Sequence, residues 1–443
     1  MSGSVSLKHP PVIDGTTLTR PCPSAASQRV ADALGSIQVA GVALLLIFAA
    51  LAFGAVETWA QFILNASAAG LLLLWASEQA LRGRIRLEWN PLYLPLCVFA
   101  VLLLVQMTGP SAYPYATGRS LLSGAAYGAF FFLSVQIFAT RERVQQLCGA
   151  LVSFGAVVAL FALIQHMAGN GRIYWIVLPQ EGGRIFGPYV NRNHYAGLVE
   201  LLLPLALVWS LDRRVPGPKR ALLAFSAFLM AASVLVSASR AGILALAVEA
   251  AFFVLIAVAN RNGKLVLRIT TFGVSAVVLS WWLSRGTLVD ALSRIGELRP
   301  SITADTLRMI WQRPLLGWGA GTYEWIYPRF RSAWSPWVID HAHNDYLELV
   351  AESGVVGGMI AIAFIAILYR LGLQTLRLRG NASSLRFAAL TGCTGLLIHG
   401  FLDFNFHIPA NAALFFVLAA VAVSRSATRT AESSSSSRWH GVV

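Results

Sequence analysis

The densest chemistry in the sequence lies in the run Asp340-His341-Ala342-His343-Asn344-Asp345, which leads into a helical pattern from Tyr346 to Ser353 and then Gly354. Asn344 or Asp345 can cap that helix, and Glu348, three residues beyond Asp345, resembles the second half of a capping box. His343 then stands just ahead of a helix N-terminus. The positive end of the helix dipole there favours an uncharged imidazole, the form that can take a proton from a hydroxyl. Asp345, Glu348 and Glu352 fall at i, i+3 and i+7 and so share one helix face, for which a solvated polar face is the plainer expectation. His341, His343 and a carboxylate could hold a metal. No strict ligand motif such as HExxH is present, however, and no metal or other cofactor is expected.

Three other groups could meet an anion or orient a histidine. Gly182-Gly183-Arg184 begins a Gly-rich segment that runs through Asn191-Arg192-Asn193-His194 into an apolar stretch, so that backbone N–H groups and guanidinium forks can reach one anion. For Arg192 the alternative is a side chain snorkelling from a helix end. Arg240, in Ser237-Ala238-Ser239-Arg240-Ala241-Gly242, sits between two apolar runs in what must be a tight turn, where an unsolvated arginine is costly unless paired. In the segment from His399 to His407, Asp403 can orient a histidine or pair with an arginine, while His407 reads as a polar residue at the interface.

The elements that position these groups are membrane helices. Of 443 residues, 56% are hydrophobic and only 12% charged, and the mean hydropathy is +0.64, which excludes a water-soluble fold and implies an all-α polytopic membrane protein. Apolar runs predict about twelve transmembrane helices, starting near Ser36, Trp59, Pro91, Arg119, Gln146, Asn193, Arg220, Ala241, Lys264, Val355, Leu385 and Pro409. With both termini cytoplasmic, the short basic loops (Arg82, Arg84 and Arg86; Arg141 and Arg143; Arg213, Arg214, Lys219 and Arg220) all fall on the inner side. The formal charge of +14 expresses mostly this bias, and no nucleic-acid motif accompanies it.

The expected organisation is a disordered cytoplasmic tail over 1–35, nine helices over 36–284, a large outer loop over 285–344, an outer helix with three more spans over 345–425, and a disordered tail over 426–443. Within the loop, Ser301 or Thr303 can cap a short helix through Gln312 that carries Leu307, Ile310 and Trp311 on an apolar stripe and lies on the membrane surface. The rings of Trp318, Tyr323, Trp325, Tyr327, Phe330, Trp334 and Trp337 suit an interfacial belt, with sugar stacking as the alternative. The two halves show no internal repeat, which favours an enzyme over a transporter.

In their order, the segment Gly183 to Pro204, the Arg240 turn, the segment Arg308 to Gly321, the run from His343-Asn344-Asp345-Tyr346 to Gly357 and the closure from His399 to Ala410 resemble the O-antigen ligase superfamily, which includes lipid-linked polysaccharide and exopolysaccharide polymerases. The resemblance covers roughly residues 150 to 420. It implies a GT-C-like, metal-independent, inverting glycosyltransferase of the bacterial inner membrane with its site facing the periplasm. Such an enzyme passes a glycan from undecaprenyl pyrophosphate to an acceptor hydroxyl, either on lipid A core or on another lipid-linked glycan. By position, His343 resembles the catalytic histidine, Arg184 and Arg240 the pyrophosphate arginines and Arg308 a third, with Asn344 and Asp345 in supporting places. The ligase is the leading expectation and the polymerase the alternative. A small-anion, bicarbonate-like transporter is the alternative of another class.

Overall fold

A computed structural model describes residues 24–83, 85–179, 184–259, 299–334, 338–376 and 381–424. The chain is an all-helical, polytopic membrane protein. Among the described residues, seven helices are long and apolar enough to cross a membrane, and two shorter apolar helices accompany them. In chain order the principal helices are α1 (Ala25–Leu51), α2 (Thr58–Leu81), α3 (Tyr93–Met107), α4 (Pro114–Ile137), α5 (Arg141–Met167), α6 (Arg192–Leu211), α7 (Gly217–Ser237), α8 (Arg240–Ala259), α9 (Arg299–Gln312), α10 (Asp345–Leu376), α11 (Asn381–His399) and α12 (Pro409–Val423). Each expected span has a helix at its place except the one near Lys264, which lies outside the described residues, as do Gly182, Gly183 and Trp337.

Local chemistry sets where these helices begin. Helix α1 starts at Ala25, inside the stretch 1–35 expected to be a disordered tail, because the Ser24 side chain accepts from the Ser27 N–H and an Ala-rich sequence follows. Thr140 caps α5 in the same way, Asn191 caps α6, and proline at the first turn starts α4 and α12. Helices α6 and α12 are buried along almost their whole length, as helices that are apolar all round should be, and form the centre of the bundle. Helices α7 and α11 pack closely on α6, and α4 and α11 on α12.

The outer loop is a small packed unit rather than an interfacial belt. Ile302 and Met309 of α9 bury against Trp318, Tyr323, Ile326 and Tyr327, whereas Leu307 and Trp311 point outward, so the helix has one core face and one exposed apolar face. Of the rings assigned to a belt or to sugar stacking, Trp318, Tyr323 and Tyr327 are core residues, while Trp325 and Trp334 are exposed.

This unit docks onto α10 through two glycines. Helix α10 breaks at Gly354, which has φ 67° and ψ −173°. A Cβ there would lie 2.0 Å from the Leu315 carbonyl oxygen, and one on Gly317 would lie 2.3 Å from the Glu352 carbonyl carbon. Gln106 of α3 closes the joint, donating to the carbonyls of Leu316 (2.7 Å) and Glu352 (2.8 Å) while accepting from the Ala320 N–H (3.2 Å). Gly354→Ala therefore combines backbone strain with a backbone clash and is expected to cost about 1–3 kcal/mol. Thermal unfolding in detergent should show a lowered Tm for Gly354→Ala but not for Gly70→Ala, whose added methyl group meets only open space.

Candidate functional site

The start of α6, the α7–α8 turn, the α11–α12 connection and the residues leading into α10 converge at one end of the bundle. Helix α7 ends at Ser237, and Ala238 adopts a left-handed conformation (φ 54°) that is unusual without glycine, turning the chain within two residues into α8. Ser239 Oγ accepts from the Gly242 N–H at 3.1 Å, capping α8, and donates to Asn193 Oδ1 at 2.8 Å. Arg240 thus opens a helix directly beside the first turn of α6. Arg192 reaches the Ser237 carbonyl (3.3 Å), its N–H donates to the Arg184 carbonyl (2.9 Å), and its guanidinium feels the charges of both Arg184 and Arg240. The structure therefore gathers three of the four arginines singled out in the sequence.

Asp403 is the polar hub of this end. It is fully buried. Oδ1 accepts from its neighbour's Phe404 N–H (3.0 Å) and lies 3.2 Å from His343 Nδ1, Oδ2 accepts from Asn193, and Arg299 is 3.7 Å away. Burial works against its charge, but the hydrogen bond to His343 and the fields of His194, His343 and His399 outweigh it, holding the carboxyl well below the usual carboxylate range. The contact fixes His343 with Nδ1–H toward Asp403, leaving Nε2 as the nitrogen able to accept a proton. His343 itself has φ 51°, a left-handed conformation that histidine tolerates better than most residues, and its side chain is about one-third exposed (32%). Asn344 accepts from the N–H groups of Tyr346 and Leu347 (both 3.0 Å), capping α10, and donates to the Phe401 carbonyl.

The carboxylates of α10 do not form a solvated face. Asp345, Glu348 and Glu352 are all buried, because residues 400–407 and the outer loop cover that side of the helix. Glu348 reaches back past the helix start to His341 Nδ1 (2.7 Å) and the Ala342 N–H (2.7 Å). His407 is not a loose interfacial residue either. Its Nδ1 lies 3.0 Å from Asp345 Oδ1, and its Nε2 lies 3.2 Å from Glu348 Oε1. Burial opposes a charge on His407, yet Glu348, Asp345 and Glu352 prevail and push it up to about 10; Glu348 likewise raises His341 against its burial. The ring of His341 stacks on Phe404 at 4.1 Å, and Phe404 also packs against His343 and His194.

A cavity of about 1730 Å³ begins at this end. Its polar part is lined by Arg184, Arg192, His194, His341, Asp345 and His407; its apolar length follows Leu96 and Phe99 of α3, Tyr127 and Phe132 of α4, Phe364 of α10 and Phe416 of α12. His194 Nε2, buried at the polar end, has no hydrogen-bond partner among the described residues.

Arg308 does not join the other arginines. Its guanidinium pairs with Asp305, three residues earlier on α9, and with the Phe330 carbonyl, so it belongs to the fold of the outer loop. Another arginine of the same helix, Arg299, reaches Asp403 instead and donates to the Leu402 carbonyl at 2.8 Å. Arg299, the bridging role of Asn193 and the pairing of His407 carried no local signal in the sequence.

Fold and site together define a multi-pass membrane protein with a histidine–carboxylate pair and clustered arginines at the end of the bundle where a large, mainly apolar cavity begins. Residues 225–362, a segment that holds Arg240, Arg308 and the His343-Asn344-Asp345 run, match the Wzy_C family model, described as O-Antigen ligase, which supports the resemblance to the O-antigen ligase superfamily. No curated protein matches the chain. The family match supports ligase or polymerase activity in general and gives no support to the small-anion transporter.

The position of Asp403 sets a pH dependence. Because its folded-state pKa is depressed, its contribution to stability is fully present above the unfolded value of about 3.9 and is lost as pH falls below it toward the folded value. The Tm difference between the native chain and Asp403→Asn should therefore shrink as pH falls below about 4, as followed by thermal melts in detergent.

Proposed function

We propose that the chain is a membrane glycosyltransferase of the O-antigen ligase type, taking a glycan from an undecaprenyl-pyrophosphate carrier at the periplasmic face of the bacterial inner membrane and passing it to an acceptor hydroxyl. The observation that carries this reading is the cluster of Arg184, Arg192 and Arg240, joined through Asn193 to the His343–Asp403 pair, next to a cavity with Arg184, Arg192 and His194 in its polar part and a largely apolar wall along α3, α4, α10 and α12. A lipid-linked donor presents that combination in one molecule: a long hydrocarbon tail, a diphosphate and a sugar.

In this reading His343 Nε2 accepts the proton of the acceptor hydroxyl, and the oxygen attacks the anomeric carbon from the face opposite the diphosphate. As the new C–O bond forms, the bond to the diphosphate oxygen breaks and the lipid pyrophosphate leaves, with inversion at the sugar. Asp403 holds the tautomer and stabilises the imidazolium that results. The leaving group's growing negative charge falls among fixed arginines, which stabilise it without reorganising. Guanidinium suits this task because its planar fork can grip two phosphate oxygens at once. The orphaned Nε2 of His194 supplies a further polar contact at the same end. Loops at the opposite end carry Arg82, Arg141, Arg143, Arg213, Arg214 and Lys219, a bias that supports placing that end in the cytoplasm.

In proteoliposomes supplied with an undecaprenyl-pyrophosphate-linked glycan and an acceptor, His343→Ala should lower transfer about 10²- to 10⁴-fold while the donor still binds. Arg184→Ala and Arg240→Ala should chiefly weaken donor binding. Full turnover by a correctly folded His343→Ala protein would refute the assignment. The product ladder separates the two acceptors: long glycan on lipid A core marks a ligase, whereas extended glycan still on the lipid carrier marks a polymerase.

A further inference from the structure

The pairing of His341, Glu348 and His407 is more than the proposed transfer requires. Each of the three offers one ligand-capable atom that lies within 4.8 Å of those of the other two. Glu348 Oε1 stands between the rings, 2.7 Å from His341 Nδ1 and 3.2 Å from His407 Nε2.

Each of the three is oriented from outside the triangle. His407 turns its other nitrogen to Asp345 Oδ1 at 3.0 Å, the carboxylate–imidazole support that metal-bound histidines commonly have. The second oxygen of Glu348 is held by the Ala342 N–H at 2.7 Å, and the His341 ring is stacked on Phe404 at an interplanar angle of 22°. His341 and His407 both line the large cavity, so a fourth coordination position can open toward it.

We infer that His341, Glu348 and His407 form a binding site for one divalent transition metal of the zinc class. Two imidazoles with one carboxylate suit zinc, whereas magnesium and calcium favour shells of oxygen. The ligands come from three separate segments: the residues leading into α10, the first turn of α10 and the short 3-10 turn Asn405–His407. A bound ion would tie together the segments that carry His343 and Asp403. His341 is two residues from the first and His407 four from the second. The site makes no use of His343, so it stands or falls apart from the transfer reaction.

The test uses the full-length protein in detergent, with any affinity tag removed, stripped with chelator, incubated with Zn2+ and desalted. Elemental analysis should then find one zinc per chain. The His341→Ala/His407→Ala double variant and Glu348→Gln should retain little, Asp345→Asn should bind about 10- to 100-fold more weakly, and His343→Ala should bind as the native chain does. Replacing zinc by Co2+ should give the visible absorption of a four-coordinate ion. Should the double variant fail to fold, His341→Gln, which keeps a hydrogen-bonding side chain, takes its place. Native protein that stays essentially zinc-free after incubation, or a well-folded double variant or His341→Gln protein that keeps as much zinc as the native chain, would overturn the inference.

Discussion

A fully buried carboxylate has to be met by donors or it destabilises whatever surrounds it, by several kcal/mol once its hydration is lost. Asp403 is met from four directions: by Asn193 of α6, by the Phe404 N–H beside it, by His343 from the residues leading into α10, and by Arg299 of α9. These donors are anchored in turn. Asn193 is held by Ser239, which caps α8, and the chain beyond His343 is held by Asn344, which caps α10. One negative charge therefore fixes how the first turns of α6 and α8, the outer loop and the start of α10 sit relative to one another. The left-handed backbone at His343 is a consequence, since it is what lets the ring reach Asp403 from a residue already committed to opening a helix.

The carboxylate–imidazole pairing recurs at this end of the bundle. Asp403 pairs with His343, Glu348 with His341, Asp345 with His407 and Glu200 with His399. The four differ in what is left over. His399 is wholly buried beside Glu200, and His407 and His341 have carboxylates near both ring nitrogens. His343 has one nitrogen engaged and a side chain about one-third exposed. Neither residue type nor exposure singles out a base among these histidines, since the side chains of His407 (28%) and His341 (23%) are nearly as exposed as that of His343; what sets His343 apart is a carboxylate on one ring nitrogen, which on the proposed function leaves the other to exchange a proton with a substrate.

The same distinction explains what could be read from the sequence. The spans, the Arg240 turn and the capping of α10 are local matters of hydropathy, helix signals and short side chains, and they were legible. The burial of Asp345, Glu348 and Glu352 was not. Helical spacing places three carboxylates on one face, but what covers the face comes from residues 400–407 and from the outer loop, both distant in sequence. The pairing of Arg308 did carry a local clue: Asp305 lies three residues before it, a spacing at which a helix pairs opposite charges. Helix α1 begins before the end of the expected tail for a similarly local reason: Ser24 followed by an Ala-rich stretch is a helix start, set among polar residues.

On the proposed function, the arginines would make this end of the bundle suit an anion that arrives with a lipid attached. Arg184, Arg192 and Arg240 are brought together by the backbone, through the Arg192–Arg184 amide contact and the tight turn that starts α8, rather than by any mutual attraction. Like charges gathered at a low-dielectric boundary repel, and fold energy has to hold them there. In the proposed reaction, a diphosphate entering among them would relieve that repulsion, and most when it carries the most charge, while leaving a sugar. The apolar wall of the cavity along α3, α4 and α10 would keep the tail of such a ligand out of water. On that proposal the electrostatic cost of assembling the site is met during folding, and its release coincides with the bond-breaking step.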